Sequence, residues 1–347
     1  MSAPVIILVV VTTVAVAELA LRVLEPALPT HRLWHDTLPA VRVRQMKAFR
    51  KRWGRADVVF CGSSVVHSGI APRAVAEGAG LPLRGYNAAL HRGFYAVIGP
   101  WLTGTVIPML RPRILVLGIS IYDSNDNGPL LVEESEKYRR SLLGRDGLVG
   151  AVARRLAMAS ALFRHHRVLI RPRVLLAAAR CRAEGTVLPD ADVRGSKVSV
   201  GDDGEWVGFH GRGFHTTEAM HDHLANGVLG NFCMGGEQLA IVERTVAALR
   251  PLVAQLVLTT VPMSRAITEL LPNGRADLDD ALVAIRAIAE RAGVPLIEVD
   301  LDLEDEVHFA DPAHVNEKGM DRFSRRLGVR LAEVLSGSTP TASRPSR

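Results

Sequence analysis

The chain has 347 residues, of which 48% are hydrophobic, 22% charged and 5% aromatic, and it carries a formal net charge of +6. This composition excludes a disordered chain and predicts a core of Val, Leu, Ile and Ala in one main domain with an insertion. Three cysteines, Cys61, Cys181 and Cys233, are too few and too scattered for a disulfide scaffold or a zinc site. Either Cys181 and Cys233 pair in an oxidising compartment, or all three are buried thiols.

The first segment, "APVIILVVVTTVAVAELALRVLE", is apolar over residues 3–17, carries Glu18 and runs apolar again to Leu21. That length matches the hydrocarbon thickness of a bilayer with Glu18 near one interface, and predicts a single transmembrane anchor over residues 1–25. A competing reading makes "AVA" at 15–17 a signal-peptidase site, although the basic stretch that opens such signals is missing. No Lys or Arg precedes the segment, while Arg22 and a basic run over 42–55 follow it. By that asymmetry alone the body stays in the cytoplasm. Residues 26–55 read as a basic linker. Within it, "RVRQMKAFRKRWGR" has seven Lys or Arg, no acid, and Met46, Phe49 and Trp53 at helical spacing. It is either a helix laid apolar side down on an anionic membrane or a solvated linker.

From residue 56 the pattern changes. Short apolar runs recur at "DVVFCG", "RILVLGIS", "QLVLTTVP" and "VPLIEVDL", separated by helical stretches at 71–77, 94–109, 238–252 and 277–292. Continuous apolar strands alternating with amphipathic helices predict a three-layer α/β/α domain with a mainly parallel sheet over 56–335. Ligand sites in such sheets gather outside the carboxyl ends of the strands, and Gly62-Ser63-Ser64 sits at such an end. A serine there presents its hydroxyl beside helix-terminal N–H groups, although a plain helix cap would use the same residues. Far downstream, "HFADPAHVNEKG" places Asp311 and His314 three apart in a Pro-containing turn. At that spacing a carboxylate reaches one imidazole nitrogen and leaves the other free to take a proton from a hydroxyl. The bland alternative has Asp311 capping the turn and His314 on the surface.

With "FCGSS", "YNAALHRG", "LGISIYDSND" and "DPAH" on the page, the chain resembles the SGNH (GDSL-like) hydrolase superfamily over about 56–335. It looks closest to a membrane-anchored branch in which Gly-Ser-Ser replaces Gly-Asp-Ser. The resemblance implies a flavodoxin-like sheet, Ser64 as nucleophile, His314 as general base and Asp311 as the residue that orients it. It implies no cofactor and no metal. It further implies an esterase or O-acyltransferase acting on an ester of a cell-envelope glycan, a membrane acyltransferase partner and an extracytoplasmic catalytic domain. Oxyanion donors expected on this basis are the Ser64 N–H, Gly93 of the second block, and Ser120 or Asn125 of the third. The third block departs from the family pattern, having Gly118-Ile119-Ser120 where Gly-x-Asn-Asp is expected. That departure leaves open a catalytically weak or inactive relative that binds a glycan or a membrane acyltransferase.

An α-rich insertion is expected over 127–236. Between Arg139 and Arg182 it holds eleven Arg and one acid, Asp146, interleaved with Leu, Val and Ala. Such a stretch lies on lipid headgroups, receives an acidic polymer, or covers the domain with snorkelling arginines. Nucleic acid is not expected, since no reader motif accompanies the charge. "VSVGDDGEWVGF" predicts a hairpin turning at Asp203-Gly204. His210, His215, His221 and His223 fit no zinc spacing and are expected in a loop near the site mouth, with His67 and His91 on the rim. A nucleotide-binding reading fails because no glycine-rich phosphate loop follows the first strand. The tail over 336–347 is low in complexity and expected to be disordered.

Overall fold

The computed structural model describes residues 2–28, 38–141, 144, 147–169, 171–184, 199–207, 214–299, 303 and 305–337. Two compact units emerge: Met1–Val41 with Lys137–Lys197, and Arg42–Glu136 with Val198–Arg347. The expected disorder of the tail from residue 338, and His210, lie outside the described residues.

The larger unit is built on a parallel five-stranded sheet. Its strands are β1 (Val58–Cys61), β2 (Gly85–Asn87), β3 (Ile114–Ile119), β6 (Gln255–Thr260) and β7 (Leu296–Ile297), in the order β2-β1-β3-β6-β7. Every residue of β1 and β3 is buried, so both faces of the sheet are covered, which accounts for their unbroken apolar runs. Counting only these strands, the order is 2-1-3-4-5, the flavodoxin-like arrangement. The α/β class and parallel sheet expected from the sequence are therefore found. The chain reverses direction across the sheet between β1 and β3, and a crevice opens outside their carboxyl ends.

Helices Pro72–Ala79 and Glu317–Leu335 pack together, and a Cβ at Gly328 would run into the Val75 carbonyl. The absent side chain at Gly328 lets these two backbones approach closely. On a second pair, Tyr95–Trp101 packs against Glu237–Leu249. The expected hairpin forms from β4 (Ser199–Val200) and β5 (Trp206–Val207), antiparallel, with Gly204 in the left-handed region at φ 81°. Leu38–Trp53 is a helix, and Met46 and Phe49 of its apolar stripe are buried in protein. Phe49 meets Tyr86 edge-on at 5.2 Å, so this part of the stripe faces the sheet domain and not lipid.

The smaller unit contains the apolar helix Ala3–Leu24 and helices Gly147–Ala159, Ala161–Leu169 and Pro172–Ala183. Its small core is Leu21, Leu28, Ala161 and Ala178. Ala3–Leu24 is long and apolar enough to cross a membrane, by length and composition, and little of it is buried. No disulfide joins Cys181 and Cys233, so the alternative in which they pair is not found. Cys61 is buried, Cys181 half-buried and Cys233 exposed, which also corrects the alternative of three buried thiols.

Candidate active site

β1 ends at Cys61, and the helix Ser64–Gly69 starts three residues later. Glycine is required on both sides of this turn. A Cβ at Gly62 would meet Val66 Cγ2 and the Gly118 carbonyl, and one at Gly118 would meet the same Val66 methyl. The Val66 side chain thus packs against the bare backbones of Gly62 and Gly118, fixing the first turn that carries Ser64. Asn87 secures the far end of that helix: its Nδ2 donates to Val66 O at 3.0 Å and Ile70 O at 2.8 Å.

Ser64 Oγ lies 3.0 Å from His314 Nε2, and the two are 250 residues apart in sequence. His314 Nδ1 lies 3.0 Å from each Asp311 carboxylate oxygen. Asp311 Oδ1 also accepts the N–H of Ala313 at 2.8 Å and of His314 at 2.9 Å. Burial pushes the Asp311 carboxyl up, but the His314 hydrogen bond and charge with these two N–H groups outweigh it and hold it below its usual range. The loop itself is pinned. Phe309 and Val315 form a β-bridge, Ala310 N–H donates to His314 O at 2.9 Å, and the Ser264 hydroxyl donates to Pro312 O. Ser63, not Ser64, is the N-cap residue, and its side chain makes no capping bond. The helix-cap reading of Gly-Ser-Ser therefore does not describe Ser64.

These groups open on a cavity of about 140 Å³ whose lining includes Ser64, His91, His314, Leu130, Met220 and Leu224. Three of the expected oxyanion donors are otherwise engaged. The Gly93 N–H donates to Leu90 O at 3.0 Å. Ser120 N and Oγ both lie 2.9 Å from Asp123 Oδ2, in a cap where burial raises the Asp123 carboxyl to about 7 against those two hydrogen bonds. Asn125 Nδ2 donates to Val228 O at 2.9 Å and bridges a different loop. The Ser64 N–H, at the first position of its helix, has no intrahelical partner by geometry and remains the available donor of the four.

Trp206 is the residue that the sequence did not mark. Carried on β5, its indole stacks on His67 at 5.1 Å and meets His314 edge-on at 5.5 Å and His91 at 5.8 Å. Buried Arg42 ties the same hairpin down, donating to Gly204 O and, at 2.9 Å, to Asn87 O. The hairpin pattern and its Trp were visible, but nothing local marks which imidazole the ring covers. His67 is fully buried beneath Trp206 and is not on the rim, whereas His91 lines the cavity. His221 and His223 belong to the helical stretch 218–228 and not to a loop; His223 lines the cavity and His221 is exposed. His215 is exposed, and no metal-binding cluster occurs among the described residues.

Burial lowers the His91 pKa from 6.5 to about 4; His314 and Arg92 add to the shift, while Glu134 and Asp311 oppose it. The unfolded chain then binds the extra proton between pH 6.5 and 4, so this residue's share of stability falls as pH drops through that window. The difference corresponds to about 3 kcal/mol. Urea titrations at the two ends of the window are expected to show wild type losing about 3 kcal/mol more than His91→Asn. Parallel losses would mean that His91 titrates as it does in water.

No protein-family model matches the chain, and no curated protein matches it. Among solved structures, an inferred acylhydrolase from Bacteroides fragilis is similar at 8% identity and a TM-score of 0.40, covering 84% of this chain and 96% of its own. A catalytic variant of an acetylxylan esterase from Geobacillus stearothermophilus is similar at 13% identity and a TM-score of 0.37, with 80% and 94% covered. Another variant, described as an acetyl-xylooligosaccharide esterase from the same organism, has 13% identity and a TM-score of 0.37, with 84% and 97% covered. Likeness at this level carries no chemistry across; the chemical reading stands on the hydrogen-bonded line Ser64, His314, Asp311.

Proposed function

We propose that the chain is a serine esterase or O-acyltransferase that works through an acyl-enzyme on Ser64. The observation that carries this reading is the unbroken run of 3.0 Å contacts from Ser64 Oγ through the His314 ring to Asp311. His314 Nε2 takes the Ser64 proton as Oγ bonds to the ester carbonyl carbon, and the imidazolium is steadied by Asp311. The negative carbonyl oxygen faces the Ser64 N–H. As the carbonyl reforms, the C–O bond to the alcohol breaks and His314 returns its proton to that alcohol. Water or a sugar hydroxyl then gives its proton to His314 and attacks the acyl carbon, the bond from that carbon to Ser64 Oγ breaks, and His314 returns the proton to Oγ. Water as acceptor makes the protein an esterase and a sugar makes it a transferase. The acyl donor is an ester on a cell-envelope glycan, with a membrane acyltransferase as partner and the catalytic domain outside the cytoplasm.

A fluorophosphonate probe tests the reading directly. Wild type is expected to label covalently and Ser64→Ala to remain unlabelled while keeping its thermal transition. A second reading, a weak or inactive relative that binds a glycan or a membrane acyltransferase, is favoured by one observation: Ser120 and Asn125 are both engaged away from the cavity. Loss of one oxyanion donor costs about 100- to 1,000-fold in turnover. A folded wild type that does not label would select this second reading.

A further inference from the structure

The apolar helix Ala3–Leu24 is exposed all round only over residues 3–16. At about 1.5 Å per residue that stretch covers roughly 21 Å, short of the roughly 30 Å hydrocarbon layer. The rest of the crossing falls to residues 17–24, and this part of the helix is not bare. Glu18 accepts hydrogen bonds from the Ser160 hydroxyl at 2.8 Å and from the N–H groups of Ala161 at 3.0 Å and Leu162 at 2.8 Å. Arg22 adds a bond to Glu18 at 2.6 Å and one to Ala159 O at 2.5 Å. Just beyond, Glu25 is gripped by Arg164 at 2.8 and 2.9 Å. A polar group at this depth is tolerable because protein donors satisfy it. The helices of 147–183 are thereby fastened to the part of the anchor that meets the boundary of the bilayer.

Their outer faces suit that depth. On Gly147–Ala159, Leu148, Val152 and Leu156 recur every fourth residue and are exposed, Leu148 by 81%, with Arg155 on the same stripe. On Pro172–Ala183, Leu176 is 63% exposed and stands between Arg173 and Arg180, three residues before and four after it. Arg155, Arg171, Arg173, Arg180 and Arg182 are exposed, and no ion pair involves them among the described residues. Exposed aliphatics set among unpaired arginines match the boundary between acyl chains and anionic headgroups.

We infer that helices 147–183 form a collar in the headgroup layer of an anionic leaflet, with Leu148, Val152, Leu156 and Leu176 inserted and the arginines on lipid phosphates. The inference rests on the reading of Ala3–Leu24 as a span, so its test must fail separately from that reading.

The full chain, with Cys61→Ala, Cys181→Ser and Cys233→Ser, is reconstituted in phosphatidylcholine vesicles containing phosphatidylglycerol. Bimane is attached singly at Leu148→Cys, Val152→Cys or Leu176→Cys. Val10→Cys serves as the reporter for the span and Val283→Cys as the exposed reporter in the sheet domain. Quenching by lipids with a shallow doxyl group is expected to be about threefold or more stronger at 148, 152 and 176 than at 283, and Val10→Cys is expected to respond to deep doxyl. Replacing the five arginines by Gln should reduce the shallow quenching in these vesicles and change it little in pure phosphatidylcholine. No deep quenching at Val10→Cys would overturn the span. With the span intact, iodide quenching at 148, 152 and 176 equal to that at 283 would overturn the collar. Protection from both quenchers would also overturn it, in favour of a protein covering this face.

Discussion

Ser64→Ala, His314→Ala and the double variant are expected to hydrolyse a nitrophenyl ester at nearly the same residual rate, each about 10⁵- to 10⁶-fold below wild type in kcat. The cause is the single 3.0 Å contact between Oγ and Nε2. Without the imidazole the hydroxyl keeps its proton, and without the hydroxyl the imidazole has nothing to activate. Each change alone therefore removes the whole covalent route, and the second change finds nothing left to remove. What persists in all three is binding and any help from the Ser64 N–H. Two groups acting independently would instead multiply their losses in the double variant. Single-turnover rates with matching thermal transitions separate the two cases, and a multiplicative double variant would dissolve the proposed pair.

The parts of this molecule that were legible in sequence are those with a local physical signature. β1, β3 and β6 are covered on both faces, so they read as continuous apolar runs. Asp311 and His314 interact within one turn, and Ser64 follows a strand end, so each half of the site has a short-range pattern. The join between the halves came only with the family resemblance, which implied Ser64, His314 and Asp311 together, because neither short segment carries a local mark of the other. β2 was missed as a strand because it has three residues, one of them Asn87, whose side chain holds a helix and not the core. Whether Ser120 and Asn125 could face an oxyanion was unreadable for a different reason. A hydroxyl or amide has the same letter whether free or engaged, and here Asp123 and Val228 had already taken both. The stripe on Leu38–Trp53 poses the same problem for apolar groups: periodicity says that Met46 and Phe49 must leave water, and is silent on whether lipid or protein receives them.

Asp311→Asn is expected to lower kcat about 10⁴-fold with little change in KM or in the thermal transition. The native carboxylate accepts from three donors: the imidazole and the N–H groups of Ala313 and His314. An Asn can keep its carbonyl on the two backbone donors, which preserves the loop, but then its amide N–H₂ is turned toward Nδ1. Nδ1 must become the acceptor, the ring proton moves to Nε2, and a hydrogen now points at Ser64 Oγ where a lone pair is needed. Asp311→Ala should differ in kind, leaving the Ala313 and His314 N–H groups unpaired and costing stability of about 1–3 kcal/mol per buried group. Acid should act through the same carboxyl. Because its native pKa lies below the unfolded value, its contribution is complete above about pH 4 and is lost as pH falls further, through the native pKa. Wild type should therefore show an acid-destabilisation term in that range that Asp311→Asn lacks. If Asp311→Asn retained a tenth or more of wild-type kcat, the carboxylate would be a loop staple alone, and His314 would be oriented by its packing against Trp206.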